Sequence, residues 1–261
     1  MFRWVIYRSC LLADGHARRL VDRVSIIRWR THMDRDRRSS AFSDPKSVEQ
    51  YAEGPPRIVP GFASLHQMTE LLLAERVPDE GRVLVVGAGG GLELKTFALK
   101  HPDWTFDGVD PADEMLRLAE QTLGPLASKV RLHHGYVEDV SEGPFDGATC
   151  LLTLHFLSTE ERQRTLREIH QRLKPDSPLV IAHLSFPSDQ KTRTQWLARY
   201  ASFAVASGVD PQKAANASQA IESHLNILPP EHEKSLLREA GFSDISLFYM
   251  GFAFRGWVAY A

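Results

Sequence analysis

The stretch Val83-Leu84-Val85-Val86 runs into Gly87-Ala88-Gly89-Gly90-Gly91 and then into Leu92-Glu93, and it constrains the chain more than any other feature. Consecutive apolar, mostly β-branched residues read as a strand buried on both faces. Glycines let the backbone turn tightly and let a ligand approach main-chain atoms that a side chain would cover. Nineteen residues beyond Gly91, at the end of the next strand-like run, stands Asp110. A carboxylate there can accept hydrogen bonds from both hydroxyls of a ribose. Strand, glycine turn, helix, strand and acid together point to a nucleoside site. A dinucleotide fingerprint needs its third glycine three residues after the second, but that place holds Leu92, and Gly91 comes only two after Gly89. No Gly-Lys-Ser/Thr follows, which excludes a P-loop.

The pattern around this motif is an alternation. Residues 62–76 place apolar groups at helical spacing, and 83–86 form the first strand. Residues 92–100 then read as helix, 105–109 as strand, 112–123 as helix and 130–133 as strand. Residues 145–153 follow as strand, 159–173 as a helix ending before Lys174-Pro175, and 179–184 as strand. Strands alternating with helices imply a mostly parallel sheet covered on both faces. Residues 188–228 break the alternation with two helix-like stretches, a lid-like insertion near the carboxyl edge where open α/β sheets bind ligands. A helix over 231–240 follows, then strands 245–250 and 252–260, separated only by Gly251. So short a link requires a hairpin and therefore one antiparallel strand. The fold class expected is a doubly wound, mostly parallel seven-stranded α/β sheet with a C-terminal hairpin and a helical insertion.

Charge is unevenly spread. Residues 1–40 hold ten Arg, no Lys and four Asp, while the rest of the 261-residue chain carries 21 basic and 29 acidic groups. The acidic body argues against an extended nucleic-acid surface and favours a small-molecule cleft. The basic stretch reads as a poorly ordered extension, with Met33 an alternative start, and the domain proper as 41–261. Arg8 interrupts the apolar Trp4–Tyr7, so a secretory signal does not fit. Gly54-Pro55-Pro56 and Pro60-Gly61 are expected to separate the extension from the body. No run of about 18 uncharged apolar residues occurs, so no membrane span is expected. Two cysteines, Cys10 and Cys150, cannot build a disulfide framework or a cysteine-only metal site, and a cytoplasmic setting suits them.

The glycine pattern with Asp110 resembles the class I S-adenosylmethionine-dependent methyltransferases. The resemblance covers residues 57–260 and implies S-adenosylmethionine as cofactor and a small-molecule methyl acceptor as partner, with room for a homodimer. It implies that Gly87, Ala88, Gly89 and Gly91 line the methionine half and ribose, and that Asp110 holds the ribose. Pro111 and Met115 would border the adenine, and Gly135, Tyr136 and Val137 would lie along its edge. One departure stands out: the family's acid two residues before the first glycine is Val85 here.

Within the family the chain is similar to the branch containing carboxy-S-adenosylmethionine synthase. The residues concerned are Arg57 with Val59-Pro60-Gly61, then Leu154, Phe156-Leu157, Glu161-Arg162-Gln163, Ser185-Phe186 and Ala240-Gly241-Phe242. Three positions depart from that branch. Phe62 replaces an aromatic hydroxyl and Leu151 replaces an Asn, both placed beside the sulfonium, and no Lys or Arg occurs between Ala214 and Glu233. A buried carboxylate without a cation is costly, so ordinary S-adenosylmethionine is the better expectation.

Methyl transfer from a sulfonium is a displacement, and a general base is needed only if the nucleophile must lose a proton. His155, just beyond the fourth strand, is the candidate base, with a backbone-bonded turn histidine as the structural alternative. Arg193, Trp196, Arg199, Tyr200 and Phe203 recur at helical spacing in the insertion, either as a lid over substrate or as an ordinary packed face. Cys150 reads as a small core residue, and no metal-ligand spacing is present.

Overall fold

A computed structural model describes residues 51–140 and 143–261. The expectations for the basic stretch 1–40 and for Cys10 lie outside the described residues. Two short helices come first, α1 (Gly54–Ile58) and α2 (Phe62–Ala74). The alternating part follows: β1 (Arg82–Val86), α3 (Leu92–Lys100), β2 (Thr105–Asp110), α4 (Asp113–Leu123), β3 (Val130–His134), β4 (Gly147–Leu151), α5 (Thr159–Arg172) and β5 (Pro178–Leu184). The insertion forms α6 (Gln190–Ala206) and α7 (Pro211–His224), and α8 (Pro230–Glu239), β6 (Ser243–Gly251) and β7 (Phe254–Tyr260) close the chain. The sheet has seven strands in the order β3-β2-β1-β4-β5-β7-β6. Only β7 runs against the rest, paired antiparallel to both β5 and β6.

The strand sequences explain the layers. Val83, Leu84, Val85 and Val86 are all buried, as a central parallel strand requires. Successive side chains point to opposite faces. Val83 and Val85 pack in one cluster with Leu73 of α2 and Leu94 and Phe97 of α3. Leu84 and Val86 pack on the other face with Leu166 and Ile169 of α5 and Leu236 and Leu237 of α8. Helix α5 starts on a capping box, in which Ser158 Oγ accepts from the Glu161 N–H and Glu161 Oε2 accepts from the Ser158 N–H. The sheet order reverses between β1 and β4, and the loops after those strands lie at the carboxyl edge where such sheets bind ligands.

Three sequence expectations are corrected. Gly54-Pro55-Pro56 is not a separator: it begins α1, where proline in the first turn lacks only an N–H that would be unsatisfied anyway. Val59 behind it is buried in the body. The hairpin turns at Phe252-Ala253 rather than at Gly251, which pairs with Phe254 as the last residue of β6. Phe252 adopts a φ of 49° there, a conformation bulky residues rarely take. The fourth strand is also shorter than expected, since Phe145 makes only an isolated bridge to Leu173 and Leu152 already has a φ of 56°.

Candidate active site

The glycine turn is built by the fold before any ligand is considered. Gly87 has a φ of 76°, and a Cβ there would lie 2.1 Å from Thr153 Oγ1, so only glycine fits. Gly91, also at 76°, lets α3 start close against α4, where a Cβ would meet Ala119 Cα at 2.9 Å. The Gly87 and Ala88 N–H groups both donate to Val109 O, which fastens the turn to the end of β2.

Asp110 ends β2 and braces the same turn. Its Oδ2 accepts from the Gly89 N–H at 3.0 Å and its Oδ1 from the Ala112 N–H at 2.9 Å. Burial raises its pKa above the usual carboxylate value, and those two bonds oppose the rise. Each carboxylate oxygen has a second lone pair, so a diol at the open edge can still be held.

A cavity of about 30 Å³ opens beside the turn, lined by Phe62, His66, Gly87, Ala88, Gly90, Leu92, Glu93, Leu151 and Leu152. It has room for only the inner end of a nucleoside ligand, whose remainder would extend along the carboxyl edge toward Asp110. Of the residues expected from sequence, the cavity brings together Phe62, Gly87, Ala88 and Leu151. Gly89, Gly91 and Asp110 stand behind it in the turn and its brace. Met115 is buried against Ala112, next to Pro111. Tyr136 begins a short 3-10 turn, its N–H donating to Asp139 Oδ2 at 2.8 Å. Val137 is buried under the sheet with Val86 and Val109.

His155 does not line the cavity. It is buried in a 3-10 turn, Nδ1 facing the Leu184 N–H at 3.5 Å, and burial, then His183 and Arg162, hold its pKa well below the usual histidine value. The backbone-bonded alternative describes this placement. The histidine on the cavity is His66, which sequence reasoning passed over. Its ring packs against Phe62 in a tilted arrangement with centroids 4.3 Å apart, and burial lowers its pKa to about 4.

Glu93 was likewise passed over. Its Oε1 accepts from Thr149 Oγ1 at 2.6 Å, and burial raises its pKa to about 8. A signal for both existed in the helix patterns. His66 belongs to the buried series Leu65, His66, Thr69, Glu70, Leu73, and Glu93 to the series Glu93, Leu94, Phe97, Ala98.

The insertion packs rather than opening onto the cavity. Tyr200 contacts Phe254 and Phe203 contacts Phe252 of the hairpin end. Arg199 and Arg255 each lie over the Trp196 ring, 4.5 and 5.3 Å from its centroid. Arg193 Nη2 donates to Glu222 O at 3.1 Å. Within Ala214–Asn226, Ala214 and Ile221 are buried, and Asn226 Nδ2 donates to Leu157 O and Thr159 Oγ1. No helix among the described residues is long and apolar enough to cross a membrane.

Comparison with known proteins agrees with this geometry. A family model described as a methyltransferase domain matches residues 83–176, the glycine turn through the end of α5. A carboxy-S-adenosyl-L-methionine synthase of Chromohalobacter salexigens is 26% identical over 231 residues, covering 86% of this chain and 85% of the relative. One from Actinobacillus succinogenes is 24% identical over 221 residues, covering 83% and 91%. Among solved structures, a candidate O-methyltransferase of Nostoc punctiforme superposes with a TM-score of 0.60 at 19% identity, over 83% of this chain and 59% of that one. Human N-acetylserotonin methyltransferase, solved in complex with S-adenosylmethionine, superposes at 0.55 and 14% identity, over 84% and 57%. This chain thus spans less than two thirds of those two structures. Residues 83–176 thus match a methyltransferase-domain model, and the seven-stranded body around them shares the fold of these solved methyltransferases.

Proposed function

We propose that this protein transfers a methyl group from S-adenosylmethionine to a small-molecule acceptor in the cytoplasm. The cavity lining carries the reading: Phe62, Leu151 and Leu152 are apolar, and neither Lys nor Arg is among the lining residues. The bound group supplies a methyl on a positively charged sulfur. In this reading the turn Gly87–Gly91 and Asp110 hold the nucleoside, while the apolar side chains exclude water and leave the methyl unobstructed. His66, neutral near pH 7, is the group available to take a proton from an acceptor O–H or N–H, should the acceptor need to lose one. The chemistry asks chiefly for alignment of acceptor, methyl and leaving sulfur. The buried thiol of Cys150 is in keeping with a reducing compartment.

A second reading, an enzyme that carboxylates the cofactor, is favoured by the names of the sequence relatives. A carboxylate brought into this cavity would meet no lining cation and would approach the acid Glu93. Arg193, Arg199 and Arg255 are engaged around Phe186 and Trp196 instead. Competition binding separates the two readings. Plain S-adenosylmethionine should outcompete its carboxylated analogue by at least about thirtyfold, the low end of the cost of an unpaired buried charge. Equal or tighter binding of the analogue would install the synthase-like reading. Transfer of labelled methyl to an acceptor panel separates the methyltransferase from a protein that only binds the cofactor.

A further inference from the structure

Glu93 is the one carboxylate lining the cavity, and it is only 7% exposed. Its partner is a neutral hydroxyl, Thr149 Oγ1. Thr149 pairs with Val85 across β1 and β4, so Glu93 reaches over the sheet to the face from which Val85 projects. Among the described residues, the groups around it carry no compensating positive charge. From α2, His66 has its pKa lowered to about 4 by burial. Farther along α2, Glu70 is bound to His101 at the far end of α3, 2.5 Å away. From β4, burial and Glu93 itself push the Cys150 thiol up. Arg162 lies on the opposite face, engaged by Glu233. An acid held dry without a counter-ion adds nothing to folding that an apolar side chain would not supply better.

We propose that Glu93 is the specificity residue for a cationic group on the inner end of the ligand, the α-ammonium of S-adenosylmethionine. The inference rests on the cofactor reading above and assigns to Glu93 the charge that Val85 cannot provide. On binding, the Glu93 carboxylic acid gives its proton to solvent, and the resulting carboxylate pairs with the incoming R–NH3+. Binding therefore releases a proton whenever Glu93 starts out neutral, which its pKa of about 8 makes the usual case at pH 7. Below that pKa, affinity should fall as pH falls, because ionising the acid becomes harder.

The test is calorimetric titration at pH 7 of wild type and Glu93→Gln with three probes. S-adenosylmethionine carries both the ammonium and the sulfonium, S-adenosylhomocysteine only the ammonium, and 5′-methylthioadenosine neither. Glutamine keeps the size of the side chain and an acceptor for Thr149, and a melting curve checks folding. Expected is a loss of roughly ten- to hundredfold for the first two probes, the range of a hydrogen bond to a charged group, with methylthioadenosine unchanged. In buffers of different ionisation enthalpy, wild type should release close to one proton with S-adenosylhomocysteine and the variant none. Unchanged affinities would overturn the assignment, as would a loss shared equally by methylthioadenosine, which would mean a damaged cavity. A loss confined to S-adenosylmethionine would also overturn it, since the charge sensed would then be the sulfonium. Failure of wild type to bind any of the three would instead bring down the cofactor reading, and this proposal with it.

Discussion

Two glutamates sit on opposite faces of the same sheet, both in the first turn of a helix and both almost wholly buried, yet their surroundings differ. Glu233 of α8, 1% exposed, is paired with Arg162 of α5 and lies 3.0 Å from His183 Nε2 of β5. Arg162 in turn donates through Nη2 to Asn226 O at 2.7 Å. Glu93 of α3 has Thr149 and a cavity. Charge on the first face is balanced within the fold, and the pair ties α5 to α8. On the second face the acid is left protonated, which suits a site whose balancing charge arrives with a ligand. The same residue type, buried in both places, is paired with a cation in one and borders a cavity in the other.

The largest expected effect breaks the balanced face. Arg162→Met leaves Glu233 buried without its cation, a loss of about 3–5 kcal/mol, or a melting temperature lower by roughly ten degrees or more. Adding Glu233→Leu should recover most of that loss. A single variant that melts within two degrees or so of wild type would show that the pair ties nothing.

A third acid, Asp110, sharpens the contrast, because backbone N–H groups balance it rather than a cation. Asp110→Ala should weaken S-adenosylhomocysteine binding by about tenfold to 150-fold, the 1.5–3 kcal/mol of a charge-assisted bond. Equal affinities in calorimetry would remove Asp110 from the site.

The unbalanced face makes the opposite stability prediction. The folded pKa of Glu93 is about 8, against 4.5 for the free group, so the folded state holds a proton that the unfolded state loses in that interval. Stability from this group is therefore full at low pH and falls as pH rises from about 4.5 to about 8. Glu93→Gln should consequently raise the melting temperature at pH 8 by roughly 4–8 °C, on the order of 2 kcal/mol, with the gain shrinking toward zero near pH 4.5. A gain independent of pH would contradict the assignment of a protonated acid.

The smallest effect is expected at the N-terminus. If the balanced and unbalanced faces account for the body's stability, a chain beginning at Met33 should melt within about 2 °C of the full chain and bind S-adenosylhomocysteine equally well. A drop above about 5 °C would show that residues 1–32 pack against something.

The alternation and the glycine turn were legible because each depends on local rules. A buried parallel strand needs a run such as Val83–Val86, and the turn after it needs residues that accept a positive φ. Helix α3 accordingly spans the residues that periodicity predicts, Leu92–Lys100, and α5 ends one residue before its expected limit. Gly54-Pro55-Pro56 misled because the same residues begin a helix or interrupt a chain, and the difference lies in whether the following residues find a core, as Val59 does. Gly251 misled because Tyr249, bonded to Pro60 O at 2.5 Å, fills the space a side chain there would need, so that glycine serves packing rather than the turn.

The site divides along the same line. Ala88, Gly89 and Asp110 follow from strand order and spacing, since the turn after β1 and the end of β2 must be neighbours in a parallel pair. His155, His66 and Glu93 do not, because each sits at an element's end or on a helix face whose environment is set by distant segments. His155 is enclosed near β5 and Arg162, while His66 meets Phe62 and the cavity. Glu93 meets Thr149, 56 residues along the chain. Sequence by itself determined which elements form, their order and where the glycine turn bares the backbone, because those follow from periodicity and φ. Tertiary structure decided which buried acid received a cation and which was set beside a cavity, because desolvation and charge pairing depend on what packs within a few ångströms, whatever the separation along the chain.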